Sequence, residues 1–472
     1  MCRKNTMDSL KNGNALEKSE HYGFGVRHIQ IVLIFSMVLI LCCMNTCSST
    51  AIVAMTNNNT SGNPTIPTFT GWTDQSFILF SYYWGYLLSL LLGGYLSRNF
   101  SFKWTMVVSV FCCSIIMECV PFVTKTFGYF GFMACLFSLG ISQGHVSSML
   151  PTFISVWVPV AERTTTGTFI FSSKTIGTIL ALQATGFLSR SWWGWPSVYQ
   201  FFGLLGFIWI IFMASYGFIK YGQKRNKKKR VPWRSIFTSK ATLATWVSHI
   251  GMMLTVRLVS IESPTYITSV LDYSIDTSSN TLTISQIIGY FNTFIISAVS
   301  EFLINRKILS IGTTRKICNS IAAYGSSIFL LVLALLPMEN YERLIMIIPL
   351  FVCMNVSFSG YDINYNDLSP NFCSYIYGIG AFLSTSFSWV PPLLVYLMVK
   401  NQTNSREWSN VFIIAASVLS ISNTIFIFNG SGEVQAYDDG TEVNIEDPDE
   451  STHLLGNSGE IKSKEYKRTY TK

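Results

Sequence analysis

Twelve runs of predominantly apolar residues occupy most of this chain, at 29–53, 75–97, 104–123, 128–150, 163–188, 197–219, 241–269, 284–304, 317–337, 343–362, 372–398 and 409–428. A helix that crosses the hydrocarbon core of a bilayer needs about 20 such residues. Only 12% of the residues are charged, against about 25% in soluble globular chains. Lipid solvates an apolar outer face; water demands charge on it. An ordinary cytosolic enzyme, a secreted disulfide scaffold and a disordered chain are therefore excluded. The expected fold class is all-α: a polytopic membrane protein of twelve transmembrane helices, each satisfying its own backbone hydrogen bonds.

Charge placement sets the sidedness. The net charge is +8, and its densest run lies between Lys220 and Arg230. No aromatic platform or nucleic-acid module accompanies it, so no nucleic-acid partner is expected. A basic block between two spans reads as a cytoplasmic loop. With the N-terminus inside, the inner loops carry sixteen Lys and Arg and the outer loops five. Both termini are thus expected in the cytoplasm. The sequons at Asn58, Asn59 and Asn401 then fall in outer loops, where glycans are added, and those at Asn99 and Asn429 fall inside. The eleven cysteines lie almost wholly in apolar runs, so neither a structural disulfide nor a metal site is expected. A polar start at 1–28 and a long first span argue against a cleaved leader.

The spans divide evenly: an N-terminal cytoplasmic segment at 1–28, six helices at 29–219, a basic cytoplasmic connector at 220–240, six helices at 241–428, and an acidic tail at 429–472 read as disordered. No pore-loop signature is present to suggest a channel. No nucleophile–base pair or metal-ligand cluster marks an enzyme, so there are no catalytic residues to assign. No cofactor is called for beyond a coupling ion, sodium or a proton.

Six ordered segments say more. They are WGYLLSLLLGGYLS (Trp84 to Ser97), WVPVAER (Trp157 to Arg163), GWPSVYQFFG (Gly194 to Gly203), LINRKILSIGTTRK (Leu303 to Lys316), GYDINYNDLSPNF (Gly360 to Phe372) and SGEVQ (Ser431 to Gln435). Together they resemble the anion:cation symporter family of the major facilitator superfamily, which holds vesicular glutamate transporters, sialin and sodium/phosphate cotransporters. The asparagine-rich outer loop looks most like the insect inorganic phosphate cotransporters. The resemblance implies two six-helix bundles with the solute bound between them near the midplane. It also implies secondary transport of a small organic or inorganic anion, of the phosphate or carboxylate class, driven by a sodium, proton or voltage gradient.

The family's ionisable residues are not carried over. An arginine of its first helix falls on Asn45, an arginine and a glutamate of its fourth on Leu136 and Gln143, and an arginine of its seventh on Met252. Glutamine does not titrate, so the obvious proton carrier is gone. Two readings outside anion transport follow from this loss: a transporter-like sensor or scaffold that moves no solute, and a carrier of a neutral or cationic solute.

Other charges stand inside the spans, where an ionisable residue is costly and points to function. Lys174 and Arg257 are candidate anion ligands, with Asn45, Gln143 and Tyr83 beside them. The bland reading is that each cation snorkels or pairs with Glu118, Glu262 or Glu301. Arg257 and Glu262 lie five residues, about 140°, apart on one helix and cannot share a face. His145 could relay protons in place of the missing acid, although histidines in spans are more often packing residues, and Glu262 is a second coupling candidate. Gly93 and Gly94 suit a close helix approach. Arg163, Arg306, Arg315, Asn364 and Asp367 read as parts of an inner gate. In the tail, Glu450, Leu454 and Leu455 fit an acidic dileucine signal for endosomal sorting adaptors. The topology suits a plasma-membrane or a lysosomal placement.

Overall fold

The computed structural model describes residues 25–56, 63, 65–72, 75–216 and 230–439. Asn58, Asn59, Glu450, Leu454, Leu455 and most of the basic run lie outside the described residues.

The described chain is helical. Its elements are α1 (Val26–Thr56), α2 (Gln75–Leu90), α3 (Leu92–Asn99), α4 (Phe102–Trp157), α5 (Arg163–Arg190), α6 (Gly194–Tyr216), α7 (Trp233–Thr238), α8 (Lys240–Ser269), α9 (Ile275–Asn305), α10 (Ile311–Leu335), α11 (Asn340–Asn355), α12 (Tyr361–Leu368), α13 (Cys373–Ser386), α14 (Val390–Met398) and α15 (Ser405–Asn429). Serine side chains at 239, 274 and 310 accept the backbone N–H groups of Thr242, Thr277 and Thr313, capping α8, α9 and α10. Such caps satisfy donors that the first turn of a helix leaves open.

Nine of the described helices, or helix groups, are long and apolar enough to cross a membrane alone, and ten with the pair α2–α3, which bends by 48°. α4 has 56 residues, about 84 Å at the helical rise, far more than one crossing. Gly128, with φ +60° and ψ −142°, turns it. Two crossings therefore share one helix, and the loop expected at 124–127 is helical with a single-glycine hinge. α5 is as long as its neighbours but rich in Thr and Ser, which makes it the least apolar span. Counted with these two, the described helices supply twelve segments of crossing length. The tenth is discontinuous: α11 passes through a 3-10 turn at Val356–Ser359 and Gly360 into α12.

Glycines set the packing of α2 on α4. A Cβ on Gly85 would come 2.0 Å from the Phe137 carbonyl oxygen, and one on Gly140 or Gly144 would meet the carbonyls of Tyr82 or Tyr86 at 2.1 or 2.3 Å. The Gly140-x-x-x-Gly144 spacing thus lets two backbones touch.

Both ends of the described chain lie at one end of the bundle, here the tail end; the opposite is the far end. The apolar core records how the two sets of helices meet. One cluster runs from Ile34, Phe132 and Trp195 through Trp246, Tyr361, Tyr365 and Phe426, joining the sets at the tail end. A second cluster, around Tyr266, Leu330, Leu350 and Trp408, belongs to the far-end part of α8–α15 alone. The two sets share one core at the tail end and have separate cores at the far end.

The segment after α15 departs from the expected solvated tail. The Gln435 N–H donates to the Leu368 carbonyl at 2.9 Å, and the Tyr437 hydroxyl lies 2.7 Å from Thr242 Oγ1. Burial pushes the Tyr437 phenol up from its usual range. The Asp438 carboxylate accepts from Ser369 Oγ, from the Asn371 N–H at 3.0 Å and from Asn371 Nδ2 at 2.7 Å. An acid with three donors is held in place, so residues 430–439 form a strap across the starts of α8, α10 and α13.

Candidate functional site

The tail-end closure is built on Asp367. Its Oδ2 accepts Arg315 Nε at 2.8 Å and its Oδ1 accepts Arg163 Nη1 at 3.5 Å. All three side chains are buried, 3%, 3% and 7% exposed. Arg163 starts α5, whereas Arg315 and Asp367 belong to α10 and α12, so the carboxylate joins the two sets of helices. Arg315 also donates to Thr164 Oγ1 and to the Ser359 carbonyl, each at 3.2 Å. Around this centre, Glu301 accepts the Thr165 N–H and hydroxyl at 2.7 Å each, and Asn305 Nδ2 donates to the Ala161 carbonyl at 2.9 Å. Thr152 bonds Ser374, and Thr168 bonds Ser297 at 2.7 Å.

Gly94 completes the seam. A Cβ there would meet the Tyr375 ring at 2.3 Å, so α3 approaches α13 only because the side chain is missing. Gly93 faces the other way, toward Ser148 and the His145 carbonyl on α4. Of the five residues expected at an inner gate, Arg163, Arg315 and Asp367 meet here and two do not. Arg306 lies over the Phe302 ring, its guanidinium 5.6 Å from the centroid, on the exposed end of α9. Asn364 donates to Thr245 Oγ1 at 3.2 Å, which ties α12 to α8 inside one set of helices.

Above the closure the charges are sparser. Lys174 stands on α5 about 16 Å along the helix from Arg163; its ammonium is 5.4 Å from the Phe171 ring centroid. Arg257 on α8 lies over Tyr83 of α2 at 5.6 Å, a cation–π contact between the two sets nearer the far end. Neither cation has an ion-pair partner within 4 Å among the described residues. The acids set against them are engaged or lie apart: Glu301 with Thr165, and Glu118 against Gly203 of α6. Glu262 is half-buried near the far end of α8.

The remaining sequence candidates divide by location. Gln143 is buried and accepts the Tyr82 hydroxyl at 2.8 Å, while Asn45 and Tyr83 are half-buried on α1 and α2. His145 sits between α2 and the first part of α4: its Nδ1 lies 2.9 Å from Ser89 Oγ and its Nε2 2.6 Å from Ser109 Oγ. Both ring nitrogens are occupied, which is the arrangement of a packing histidine. Asn401 is exposed in the far-end loop, opposite both described chain ends, and its Oδ1 accepts the Thr403 N–H and hydroxyl.

Two ionisable residues that the sequence reading passed over stand next to Lys174. Asp362 is buried on α12 and His249 on α8, and Phe171, which carries the Lys174 ammonium over its ring, stacks on Tyr377, which packs in turn on His249. His249 Nδ1 lies 2.9 Å from Tyr365 Oη, and its ring lies 4.9 Å from that of Tyr361. Their only sequence signal is a titratable residue in an apolar run.

A polytopic helical bundle whose two sets of helices close on buried charge at one end, with unpaired cations deeper inside, defines a membrane protein of the two-bundle class. The chain belongs to the Major Facilitator Superfamily, whose family model matches residues 34–391. It is 25% identical over 468 residues to a protein of Drosophila melanogaster named "Putative inorganic phosphate cotransporter", with 90% of this chain and 88% of that one covered. It is 27% identical to vesicular glutamate transporter 3 of Danio rerio, covering 82% and 70%. Among solved structures, the proton:xylose symporter XylE superposes with a TM-score of 0.65 at 15% identity, covering 86% of this chain and 97% of that one. FucP in its outward conformation superposes at 0.60 and 13%, covering 86% and 100%. These likenesses carry the fold.

Proposed function

We propose that this protein is a secondary active carrier of a small anion, phosphate or carboxylate in class, which works by alternating access between helices 29–219 and 241–428. The observation that carries this reading is the pair Lys174 and Arg257. They are basic side chains inside spans of opposite halves, neither with an acid within 4 Å among the described residues. A cation away from bulk water with no acid in direct contact leaves room for an anionic guest. The names of the relatives, cotransporters of phosphate and transporters of glutamate, point the same way.

The excess of basic residues on the inner loops supports a cytoplasmic tail end. In that orientation the Asp367 closure seals the cytoplasmic side and the separated far ends face the exterior or a vesicle lumen. Glycosylation at Asn58, Asn59 or Asn401 fits the same orientation. A plasma-membrane or an endolysosomal site is compatible with it, and Glu450, Leu454 and Leu455 would supply the sorting signal for the second.

The test is uptake into proteoliposomes. Inorganic phosphate, L-glutamate, sialic acid and urate are offered under imposed sodium, proton and voltage gradients. Gradient-dependent accumulation of one of these anions is expected. No accumulation of any of them by folded, correctly inserted protein overturns the reading in favour of a non-anionic solute or a non-transporting role.

A further inference from the structure

The discontinuity of the tenth crossing places an acid where the spans offer a cation. α12 starts afresh after Gly360, so Asp362 sits in its first helical turn rather than in the middle of a continuous helix. It is about 9 Å along α12 from Leu368, and five residues from Asp367, the gate carboxylate. The two acids differ in every other respect. Asp367 is gripped by two arginines. Asp362 is buried but has no ion pair within 4 Å and no hydrogen bond from another element among the described residues. Across from it, on the other half, stands Lys174.

Among the described residues, the other charges on the elements packed here are already committed: Glu301 of α9 to Thr165, and Arg163 of α5 to Asp367. From α8, His249 faces the cluster, its Nδ1 on Tyr365 Oη and its Nε2 3.4 Å from Ser384 Oγ. From α12 and α13 come Tyr361, Tyr365 and Tyr377, packed on one another and on His249. Phe171 of α5 stacks on Tyr377 at 6.2 Å and carries the Lys174 ammonium over its ring, joining the cluster to the other half. From α10, Arg315 is committed to Asp367. The second part of α4, residues 128–157, contains no Asp, Glu, Lys or Arg, and its His145 is bound by two serines.

The geometry points to Asp362 as the proton-coupling acid and to Lys174 as the anion ligand it controls. This deepens the anion-carrier reading and rests on it. With Asp362 ionised, the ammonium across the halves is balanced and an anion gains little by approaching it. A proton on the Asp362 carboxylate removes that balance, and a monoanion then takes its place beside Lys174. One proton and one anion enter together, and both leave on the other side. A proton and a monoanion carry no net charge, so the cycle is electroneutral. Buried charge that must be balanced at each step also explains how two halves can stay coupled: either loaded or empty, the centre is neutral, while half-loaded states leave a buried charge uncompensated.

The experiment compares wild type, Asp362→Asn, Asp362→Glu and Lys174→Gln in proteoliposomes, with inorganic phosphate, L-glutamate and benzoate as probes. Under a pH gradient of one unit, wild type is expected to concentrate a monoanion about tenfold, with no response to membrane potential. Asp362→Asn is expected to lose that accumulation yet retain anion exchange, and its net flux becomes sensitive to potential. Asp362→Glu restores accumulation, and Lys174→Gln loses both accumulation and exchange. Wild-type detergent-solubilised protein provides a second measurement: about one proton should be taken up per anion bound in weakly buffered solution. Accumulation by Asp362→Asn equal to wild type, or binding without proton uptake, overturns the proposal. So does wild-type accumulation that follows sodium and ignores pH, and that result leaves the carrier reading intact. Failure of wild type to carry any probe under any gradient removes the carrier reading itself.

Discussion

Two buried acids five residues apart on α12, Asp367 and Asp362, have opposite surroundings. Asp367 accepts from Arg315 and Arg163 and lies in a lattice of threonine, serine and asparagine bonds that joins the halves. Asp362 has one neighbouring donor, the Tyr361 hydroxyl on its own helix, and faces Lys174 across the interface without an ion pair. A carboxylate held by two guanidinium groups is fixed in charge and in place, which suits a closure. A carboxylate facing a cation without touching it can change its protonation and let the cation take another partner. One helix thus carries a structural acid and a reactive one, and what separates them is the number of donors each has.

That contrast can be broken from either side. The largest expected effect is at the closure. Asp367→Ala leaves two buried arginines without an acid and should cost about 3–5 kcal/mol, read as a fall in Tm of the purified protein. The same variant should open the tail end, so a cysteine introduced at position 164 becomes reactive to a membrane-impermeant maleimide added on the tail-end side. A Tm equal to wild type would show that the two arginines do not depend on Asp367. Next comes the strap: Asp438→Ala removes charge-assisted bonds to Ser369 and Asn371 and should cost about 1.5–3 kcal/mol. Its Tm should therefore fall less than that of Asp367→Ala, and a larger fall would move the centre of the closure to the strap.

The central charges should behave in the reverse way, losing function while keeping stability. Lys174→Ala is expected to lower initial uptake at least about tenfold, equivalent to about 1.4 kcal/mol, with Tm little changed because Asp362 can take up a proton once the cation facing it has gone. Arg257→Ala removes a partly exposed cation–π contact, worth about 0.5–1 kcal/mol, and should reduce uptake several-fold. If both express and uptake is unchanged, neither is an anion ligand. The smallest effect is expected at His145. His145→Gln should leave the pH profile of uptake as it is, because both ring nitrogens are already used by serines. A shifted profile would restore the relay role.

The sequence discloses the parts of this molecule that depend on solvent and loses those that depend on partners remote in the chain. Spans are legible because lipid requires long apolar runs, and the gate residues because charge at a helix end has few other uses. Gly93 and Gly94 likewise suggest close packing, and a Cβ on them would meet Ser148 or the Tyr375 ring. Asp362 was hidden by its position at the edge of an apolar run whose helix break at Gly360 leaves no hydropathy signal. His249 depends on Tyr365, 116 residues away. Lys174 stands out as a charge inside a span, but the sequence offers Glu118, Glu262 and Glu301 as its partners, and none of them forms an ion pair with it among the described residues. The strap was lost for a related reason: Asp438 looks like seven other acids between Glu433 and Glu450, and only the Ser369–Asn371 turn distinguishes it.

The strap has a practical consequence for anyone who handles the protein. Residues 430–439 reach α8, α10 and the α12–α13 turn, so the last helix does not end the folded unit; Asp439 is the last described residue of it. A reporter or affinity handle fused at Asn429 in place of the tail would delete Tyr437 and Asp438 and loosen the half that carries the closure. Fused after Asp439, the same handle leaves those bonds in place. Inactivity of a chain shortened to residue 429 would therefore reflect damage to the carrier, and says nothing about sorting signals further along.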